Sequence, residues 1–300
     1  MAEMSTRAKG YLITMLGVIA ISPDGLFTRL ISADAITITF WRSLFFGLVS
    51  LLFVVIRYRQ RIALLYASFS WPEYCVIVSY GTGNLLFMYS ITNTSVANTL
   101  FMLSTTPIWA ALIAWVFLKE RVPLRTWFAI LMVIIGILVI TRGSTLGVGN
   151  WQGDLAGLFA AGVLASQFSL IRKMRSRDPL PVLAASGIFT ALFIAPFVDP
   201  GATSNIDLVY LVMMGAMMLP VANALMYMGP KYLPAPEVGL MMLLETILGP
   251  IWVWLVVDEN PGIYSIAGGA IVLVTLVINT WLGIREDYAR AKTSPATEMA

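Results

Sequence analysis

The sequence contains no histidine, which removes the commonest general base, the commonest metal ligand and the usual partner of a catalytic serine or cysteine. Its single cysteine, Cys75, cannot form a disulfide within the chain. Charged residues are also scarce, at 12% of 300 residues, whereas a soluble domain carries about 25%. These absences argue against a soluble domain and against a membrane enzyme, and we expect neither a metal site nor a cofactor.

Long apolar runs take the place of the missing charges, because 59% of the residues are hydrophobic. Ten runs approach the length of about 20 residues that crosses a bilayer, and turn-forming segments such as DENPG at 258–262 separate them. The sequence therefore predicts an all-α, polytopic membrane protein. Its ten transmembrane helices, named spans one to ten, are predicted at 10–30, 36–56, 73–91, 95–118, 123–141, 153–171, 180–198, 207–228, 235–257 and 262–283.

Lysine and arginine divide unevenly between the two sides of the predicted membrane. If the spans alternate in direction, sixteen of the nineteen lie on the side of both termini, and Arg29 and Arg142 lie on the other side. The nineteenth, Arg42, falls within span two. By the positive-inside rule this predicts a multi-pass protein of the bacterial inner membrane with both termini in the cytoplasm. The net charge of +3 is thus a topology signal, and we expect no nucleic-acid partner.

The first 35 residues resemble a signal peptide, with Arg7 and Lys9 before an apolar stretch and SADA at 32–35. Arg29 lies between that stretch and the site where cleavage would occur. The internal repeat described next also needs this segment as a helix. We therefore expect the segment to be retained as span one.

The chain matches itself weakly at an offset of 139 residues. Asn84 falls on Asn223, Met102 falls on Met241, and PIWAALIAWVFLKE (107–120) falls on TILGPIWVWLVVDE (246–259). Because each half holds five spans, the second half must be inserted upside down relative to the first. Inverted repeats are typical of secondary transporters, which bind substrate near the midplane and work by alternating access.

Three segments resemble a known family. TPIWAALIAWVFLKERVPLRTWFAILMVIIGILVI (106–140) looks like the end of an EamA repeat, and LLETILGPIWVWLVVDENPGIYSIAGGAIVLV (243–274) looks like its second copy. WQGDLAGLFAAGVLASQFSLIRK (151–173) resembles the Gly-Asp opening of the second half. The chain therefore resembles the drug/metabolite transporter superfamily, and within it the bacterial aromatic amino-acid exporters.

The resemblance implies two EamA-like repeats, at 9–142 (helices 1–5) and 151–284 (helices 6–10). The chain departs from the family's pattern at Thr246, where the second copy usually has proline, and Pro250 follows four residues later. DENPG also replaces the usual Gly-Glu-Arg type of turn. These departures weaken any transfer of motif roles to Glu245.

Two charged side chains fall inside neighbouring predicted spans. Asp24 in span one and Arg42 in span two lie at similar depths, roughly 9 Å below the outer surface at about 1.5 Å rise per residue. We expect them to pair, either as a structural tie or as an outer gate or anchor for a substrate carboxylate. Pro23 predicts a helix kink beside Asp24, and Pro107 and Pro250 predict further kinks.

Glu245 falls near the middle of span nine, and no lysine or arginine is predicted at its depth. Two interpretations remain open. Glu245 is either a proton-coupling site that alternates with substrate, or a neutral acid hydrogen-bonded to a neighbour. The candidate neighbours are Asn98, Asn223, Thr105 and Thr106.

Polar and aromatic residues recur at helical spacing on spans three, four, eight and nine, which the repeat relates to one another. Because lipid-facing surfaces disfavour asparagine, these faces are predicted to point into the bundle. There they serve either ordinary helix packing or a substrate cavity. The cavity candidates are Tyr80, Asn84, Asn98, Met102, Thr105, Trp109, Asn223, Tyr227, Met241 and Glu245.

Two weaker signals concern helix ends and packing. GDLAG at 153–157 is a GxxxG motif, which predicts close packing at the start of span six, and Asp154 within it is predicted to help cap that helix. Glu120 and Glu259 are repeat-related and are predicted at opposite membrane faces. We interpret both as surface or capping groups.

A cavity of this composition suits a partly apolar, uncharged or zwitterionic small molecule. It also offers cation–π contacts to organic cations, but it lacks the basic cluster that a nucleotide sugar needs. The sequence therefore predicts a carrier that exports small metabolites, with amino acids favoured. Export of drugs or organic cations is the alternative, and a membrane enzyme or sensor is less favoured. The expected partners are the substrate and the lipid bilayer, with a monomer favoured over a dimer.

Overall fold

The computed structural model describes residues 6–118, 124–143, 150–173, 178–199, 201, 203–228 and 235–293, and these form ten long helices. The first half comprises span one (Thr6–Ile21 and Asp24–Leu30), span two (Ala35–Tyr58), span three (Trp71–Asn93), span four (Val96–Leu103 and Thr106–Leu118) and span five (Leu124–Gly143). Short helices at Arg59–Arg61 and Ile62–Ala67 connect spans two and three.

The second half begins with span six (Trp151–Lys173) and span seven (Leu180–Ile194, extended by the 3-10 helix Ala195–Phe197). It continues with span eight (Asn205–Val212, the π-helical turn Met213–Met218, and Leu219–Met228), span nine (Ala235–Val257) and span ten (Gly262–Thr293). The described residues thus contain the ten predicted helices.

Eight of the ten helices in the described residues are long and apolar enough to cross a membrane by themselves. Span six is one exception, and it carries Asp154 in its first turn. Span nine is the other, and within the residues searched its apolar part is Met241–Val257. Both helices pack against several other spans, so part of their surface contacts protein instead of lipid.

The helices pack with an approximate two-fold symmetry that relates each span to the span five positions later. Span two packs on span seven, and span five packs on span ten. The contact of span three with span six is matched by that of span eight with span one. The contact of span four with span six is matched by that of span nine with span one. Since each half has an odd number of spans, this symmetry confirms the predicted architecture of two inverted five-helix repeats.

Glycines allow the two symmetric helix pairs to approach closely. A Cβ atom on Gly47 of span two would lie 2.6 Å from the Ile188 backbone nitrogen of span seven. A Cβ atom on Gly268 of span ten would lie 2.6 Å from the carbonyl oxygen of Gly136 on span five. A side chain at either position would therefore push the helices apart.

The GxxxG motif at the start of span six packs as the sequence predicts. A Cβ atom on Gly153 would lie 3.0 Å from Cβ of Thr94, and one on Gly157 would lie 2.8 Å from Oγ of Ser90. Both contacts involve span three or the turn that follows it. Because neither glycine has a side chain, span six can lie directly against the first half.

The three predicted kink prolines behave differently. Span one stops at Ile21 and resumes at Asp24, just after Pro23. Span four is interrupted after Leu103, and Pro107 is the second residue of its next helix, where a missing N–H is tolerated. Span nine runs as one helix through Pro250. Interruptions thus occur beside Pro23 and Pro107, whereas Pro250 does not interrupt its helix.

Since the helices alternate in direction, the start of span one and the end of span ten lie on one side, the terminal face. The opposite side, the far face, carries the turns at 31–34, 94–95 and 258–261. A buried hydrophobic cluster joins the far halves of six spans and closes this side of the bundle. We call it the far-face cluster: Ile31, Ile38, Met88, Ile91, Val96, Leu100, Leu211, Met214, Met218 and Val253.

Candidate functional site

Asp24 and Arg42 form an ion pair in the interior of the bundle. Arg42 Nη1 donates a hydrogen bond to Asp24 Oδ2 at 2.7 Å, and both side chains are less than a tenth exposed (5% for Asp24 and 8% for Arg42). The interruption at Pro23 makes Asp24 the first residue of the second half of span one. The pair therefore joins span two to this half-helix.

The ion pair leaves hydrogen-bonding capacity unused. Within the described residues, the buried atoms Asp24 Oδ1 and Arg42 Nε have no hydrogen-bond partner. The guanidinium also has a thioether and an aromatic ring as neighbours: Met88 Sδ lies 3.9 Å from Nη1, and the Phe87 ring centroid lies 5.5 Å from Cζ. Leaving charged groups buried and incompletely paired is costly. The pair therefore offers one acceptor and one donor that a polar ligand can satisfy.

Glu245 on span nine lies within electrostatic reach of both Asp24 and Arg42. Further along the same helix face, a Cβ atom on Gly249 would lie 3.8 Å from the Ser22 carbonyl oxygen, and Trp252 Nε1 donates to Ser22 Oγ at 3.0 Å. This face is therefore directed at the interruption in span one.

No lysine or arginine was predicted at the depth of Glu245, but Arg42 lies within electrostatic reach of it. Counting residues from a predicted helix end gives depth only to within a turn or so. An arginine side chain also extends several ångströms from its own backbone. Two inaccuracies of this size hide an electrostatic interaction between residues of spans two and nine, which lie in different halves.

Span three adds Tyr80 and Asn84 to this region. The Tyr80 ring stacks on Phe46, with centroids 5.6 Å apart and planes 13° from parallel, and Tyr80 also interacts electrostatically with the ion pair. Asn84 Nδ2 donates to Oγ of Ser43, the neighbour of Arg42, at 3.0 Å. We call Asp24, Arg42, Tyr80, Asn84 and Glu245 the central cluster.

A π-helical turn at Met213–Met218 of span eight also supports Arg42, and the sequence analysis missed it. A Cβ atom on Gly215 in this turn would lie 2.8 Å from the Arg42 carbonyl oxygen, so span eight packs directly on the arginine backbone. Turns of this type occur often at functional sites. The only sequence signal was the glycine in MMGAMM at 213–218.

Asn98, a predicted cavity residue, belongs instead to a second buried network nearer the far face. Its Nδ2 donates to Asp154 Oδ1 at 3.1 Å and to Thr94 Oγ1 at 3.2 Å, and its Oδ1 accepts from Ser265 Oγ. Thr94 Oγ1 also donates to Asp154 Oδ1 at 2.7 Å. We call Thr94, Asn98, Asp154 and Ser265 the scaffold network, because it ties spans four, six and ten to the end of span three.

The start of span six has a side-chain cap that was not predicted. The side chain of Asn150 supplies it, since its Oδ1 accepts from the Gln152 backbone N–H at 3.0 Å. Asp154, predicted to help cap this helix, is fully buried and accepts hydrogen bonds from side chains of the first half. The buried partners on another helix were invisible to reasoning from local sequence.

The other cavity candidates on span four make helix-packing contacts. Met102 is buried in a cluster with Phe101 and Ile140, and the Trp109 ring lies against Gly162 of span six, 3.2 Å from where a Cβ atom would be. Thr105 Oγ1 donates to the Met102 carbonyl oxygen at 2.7 Å, which gives this carbonyl a partner where span four is interrupted. The structure thus does not bring these three residues into the central cluster.

The second-half candidates are also spread out. Asn223 Nδ2 donates to the Leu219 carbonyl oxygen of its own helix at 2.8 Å, and Met241 packs beside Met242. The side chain of Tyr227 lies outside the described residues. Of the ten predicted cavity residues, the described part of the structure places Tyr80, Asn84 and Glu245 around the ion pair.

Glu259 serves as a cap, as the sequence predicts, and it also forms an unpredicted ion pair. Its Oε1 accepts from the Val96 backbone N–H at 2.9 Å at the start of span four, and its Oε2 lies 2.6 Å from Arg29 Nε. Its repeat counterpart Glu120 lies outside the described residues. Glu259 therefore links spans one, four and nine at the far face.

Comparison with known proteins identifies relatives and a fold. The chain is 24% identical over 196 residues to the pseudopaline exporter CntI of Pseudomonas aeruginosa strain UCBPP-PA14, which covers 64% of this chain and 68% of that protein. It is also 24% identical over 200 residues to the protein of the same name from strain PAO1, with the same coverage. A solved crystal structure of a protein shares the fold, with a TM-score of 0.65 and 17% identity over 92% of this chain and 99% of that chain.

The EamA-like transporter family matches residues 8–142 and residues 151–281, so both halves of the chain carry the same domain. This match confirms the predicted resemblance. It also confirms the expectation of a carrier in place of an enzyme, since the family consists of transporters. The chain therefore belongs to the EamA-like transporter family.

Proposed function

We propose that this transporter exports small zwitterionic metabolites of the amino-acid type. The observation that carries the proposal is the buried Asp24–Arg42 pair, whose Oδ1 and Nε atoms have no partner within the described residues. A substrate carboxylate is complementary to the free edge of the arginine, and a substrate ammonium is complementary to the carboxylates of Asp24 and Glu245. Tyr80 and Phe87 supply aromatic surface for an apolar side chain.

Charge disfavours an anionic substrate, and the Arg42 Nε atom without a partner in the described residues disfavours a purely cationic one. When ionised, Asp24 and Glu245 bring two negative charges to the single positive charge of Arg42. A purely anionic substrate would add a third negative charge in a region of low dielectric constant, where like charges repel strongly. A purely cationic substrate would leave Arg42 Nε unsatisfied. A zwitterion satisfies both ends of the pair and adds no net charge.

Export of organic cations or drugs is the second candidate function. It draws on the two carboxylates of the central cluster and on the rings of Phe46, Tyr80 and Phe87, which can hold a cation over their faces. The relatives from Pseudomonas aeruginosa are named as exporters of pseudopaline. Their names support outward transport of a small metabolite as the general class.

The proposed mechanism is alternating access between the two inverted halves. The far-face cluster closes one side of the central cluster, so a rocking of the halves must open this side during transport. The excess of lysine and arginine on the terminal face supports a cytoplasmic location for the termini and a periplasmic far face. In this orientation, export requires opening at the far face.

We assign a coupling role to Glu245. Its position within electrostatic reach of Asp24 and Arg42 means that its charge alters how strongly the pair holds a substrate. A proton that enters or leaves Glu245 can therefore drive substrate binding or release. No other ionisable group of span nine within Met241–Val257 competes for this role.

The test is transport into proteoliposomes with labelled amino acids and tetraphenylphosphonium as the organic cation, with and without a pH gradient. We expect saturable transport of at least one amino acid, inhibited by other zwitterions and absent with Arg42→Gln. Arg57→Gln is the matched control, since Arg57 is 67% exposed at the end of span two. Transport of tetraphenylphosphonium alone would support export of organic cations instead of amino acids. Transport of neither compound class would refute both candidate functions.

A further inference from the structure

The second half of span one, Asp24–Leu30, is a separate element that covers the central cluster on its far side. Ser22 and Pro23 separate this half-helix from Thr6–Ile21. Leu26 and Phe27 pack against the far-face cluster, and the Phe27 ring lies 6.0 Å from the Tyr210 ring of span eight. We call Asp24–Leu30 the gate helix.

The outer end of the gate helix is held by polar contacts with three other parts of the bundle. Arg29 pairs at 2.6 Å with Glu259 in the turn after span nine, and its Nη2 donates to the Thr94 carbonyl oxygen after span three. Just beyond the helix, the Ser32 backbone N–H donates to Oδ1 of Asp207 on span eight at 3.1 Å. Both side chains of the Arg29–Glu259 pair are about a fifth exposed (22% and 23%), so water reaches this pair more readily than it reaches the Asp24–Arg42 pair.

The inner end of the gate helix is held differently, by the buried Asp24–Arg42 pair. Asp24 contacts the guanidinium through one atom pair, Oδ2 with Nη1, and Arg42 Nε has no hydrogen-bond partner in the part of the chain that the structure describes. Carboxylates prefer to engage arginine through two parallel hydrogen bonds. An incoming carboxylate can therefore bind Arg42 through two bonds where Asp24 uses one.

We propose that the carboxylate of the substrate replaces Asp24 on Arg42, and that the release of Asp24 lets the gate helix move and open the far face. The proposal rests on the proposed function, since it requires a substrate with a carboxylate. The substrate ammonium is then left to Glu245, and Asp24 becomes hydrated as the far face opens. No charge is therefore left buried and unpaired. The ion pair acts as a lock that only a carboxylate-bearing substrate releases.

The first test is a disulfide that holds the gate helix in place. A Cβ atom on Gly25 would lie 2.6 Å from Cγ1 of Val96 and 3.6 Å from Cγ2, so the two Cβ positions are within about 4 Å, which is disulfide range. Val96→Cys also removes the methyl groups that Gly25→Cys would meet. The control is Gly83→Cys with Val163→Cys across spans three and six, where the corresponding distance is 3.9 Å. Both pairs carry Cys75→Ala.

We expect oxidation of the Gly25→Cys, Val96→Cys protein to abolish amino-acid transport and reduction to restore it, while the oxidised control pair still transports. A gate disulfide that forms fully and leaves transport unchanged would overturn the proposal. In that case amino-acid transport by the unmodified protein would still stand. If the unmodified protein transports no amino acid, it is the proposed function that fails.

The second test asks whether the carboxylate is the trigger. Ile91→Cys in the Cys75→Ala protein places a thiol beneath the gate helix, because Ile91 is fully buried and its Cδ1 would lie 3.5 Å from a Cβ atom on Gly25. Reaction with a maleimide is followed in nanodiscs with L-phenylalanine, its methyl ester or phenethylamine. Ile140→Cys, at an equally buried position on span five, is the control.

We expect L-phenylalanine to accelerate labelling at position 91 at least several-fold, and the ester and the amine to leave it unchanged. Asp24→Asn should give fast labelling without any ligand, because the inner end of the gate helix is then no longer held by charge. Labelling at position 140 should not respond. Equal acceleration by all three compounds, or slow labelling of Asp24→Asn, would refute the exchange of partners on Arg42.

Discussion

Two buried polar groups lie in the same bundle, the central cluster and the scaffold network, and both contain an aspartate and an asparagine. In the scaffold network, Asp154 accepts hydrogen bonds from Thr94 and Asn98 at 2.7 and 3.1 Å. In the central cluster, Asp24 has one partner at 2.7 Å and an oxygen without any partner in the described residues. The difference teaches that a buried carboxylate marks a ligand site when its hydrogen bonds are incomplete.

The environment of the two groups explains this difference. The scaffold network lies where glycines bring span six against the turn between spans three and four, so its groups can satisfy one another. The central cluster lies where span one is interrupted and span eight contains a π-helical turn. Irregular helices there hold the side chains apart. A completed network stabilises one structure, whereas an incomplete one has capacity left for a substrate.

The largest effect is expected from breaking the central ion pair. Arg42→Gln should abolish transport and lower the free energy of unfolding by about 3–5 kcal/mol, because it leaves Asp24 buried and unpaired. The double variant Asp24→Asn with Arg42→Gln should regain most of the stability and none of the transport. Thermal unfolding and uptake measure the two quantities separately. Normal transport by the double variant would show that the pair only ties spans one and two together.

A charge swap refines this prediction. Asp24→Arg with Arg42→Asp restores an ion pair but puts the arginine on the gate helix. We expect the swapped protein to fold more stably than either single variant and still not to transport. Recovery of transport would support a structural tie, because the position of the cation would then be immaterial.

A more selective effect is expected at Glu245. Glu245→Gln should keep the fold, since the amide is nearly isosteric, and should remove the response of transport to a pH gradient. Glu259→Gln, at the far face, should keep that response. The measurement is uptake at several values of pH on each side of the membrane. If Glu245→Gln transports normally at every pH, the coupling role is excluded.

In the scaffold network, Asp154→Asn should affect stability alone. The substitution removes the negative charge that strengthens two buried hydrogen bonds, which should lower the free energy of unfolding by about 1–3 kcal/mol. Substrate affinity per folded molecule should stay within about two-fold of the unmodified protein, because the donors to Asp154 that the change affects, Thr94 and Asn98, belong to the scaffold network. Thermal unfolding and equilibrium binding are the two measurements. A large loss of affinity at unchanged stability would contradict the assignment of the scaffold network to stability and of the central cluster to substrate binding.

The smallest effects are expected from the paired asparagines. Asn84→Ala removes a hydrogen bond to Ser43 and should weaken substrate binding a few-fold, with a stability loss of about 0.6 kcal/mol. Asn98→Ala should lower stability by more than that and leave binding unchanged, because Asp154 and Ser265 each lose a buried hydrogen bond. If the two variants lost stability and substrate affinity to the same extent, the central cluster and the scaffold network would not differ in function.

Much of the fold followed from the sequence, because a bilayer imposes simple rules. Each crossing needs about 20 apolar residues in a helix, so helix number and approximate ends could be read from the chain. Pro23 indicated an interruption because a proline lacks the backbone donor that a helix uses. The repeat boundaries at 9–142 and 151–284, the cytoplasmic termini and the monomeric state stay predictions.

The site was predicted only in part, because residues of one type on one helical face can have different neighbours. The sequence predicted both Asn84 and Asn98 to line the cavity. In the structure, the first bonds to Ser43 beside Arg42 and the second bonds to Asp154. Glu245 was recognised as a charge near mid-membrane, but its interaction with Arg42 crosses the two halves. The Arg29–Glu259 pair joins residues 230 positions apart, and no local pattern announces it.

The sequence by itself determined that the chain is a ten-helix inverted repeat of the EamA type with Asp24, Arg42 and Glu245 inside its membrane-spanning helices, since hydropathy and repeat spacing are properties of the chain alone. Only the tertiary structure decided which polar groups satisfy one another and which remain open to a ligand. The physical reason is that hydrogen bonds between helices depend on rotations and separations of the helices to within an ångström. Those are set by glycine contacts and helix irregularities that act across the whole bundle.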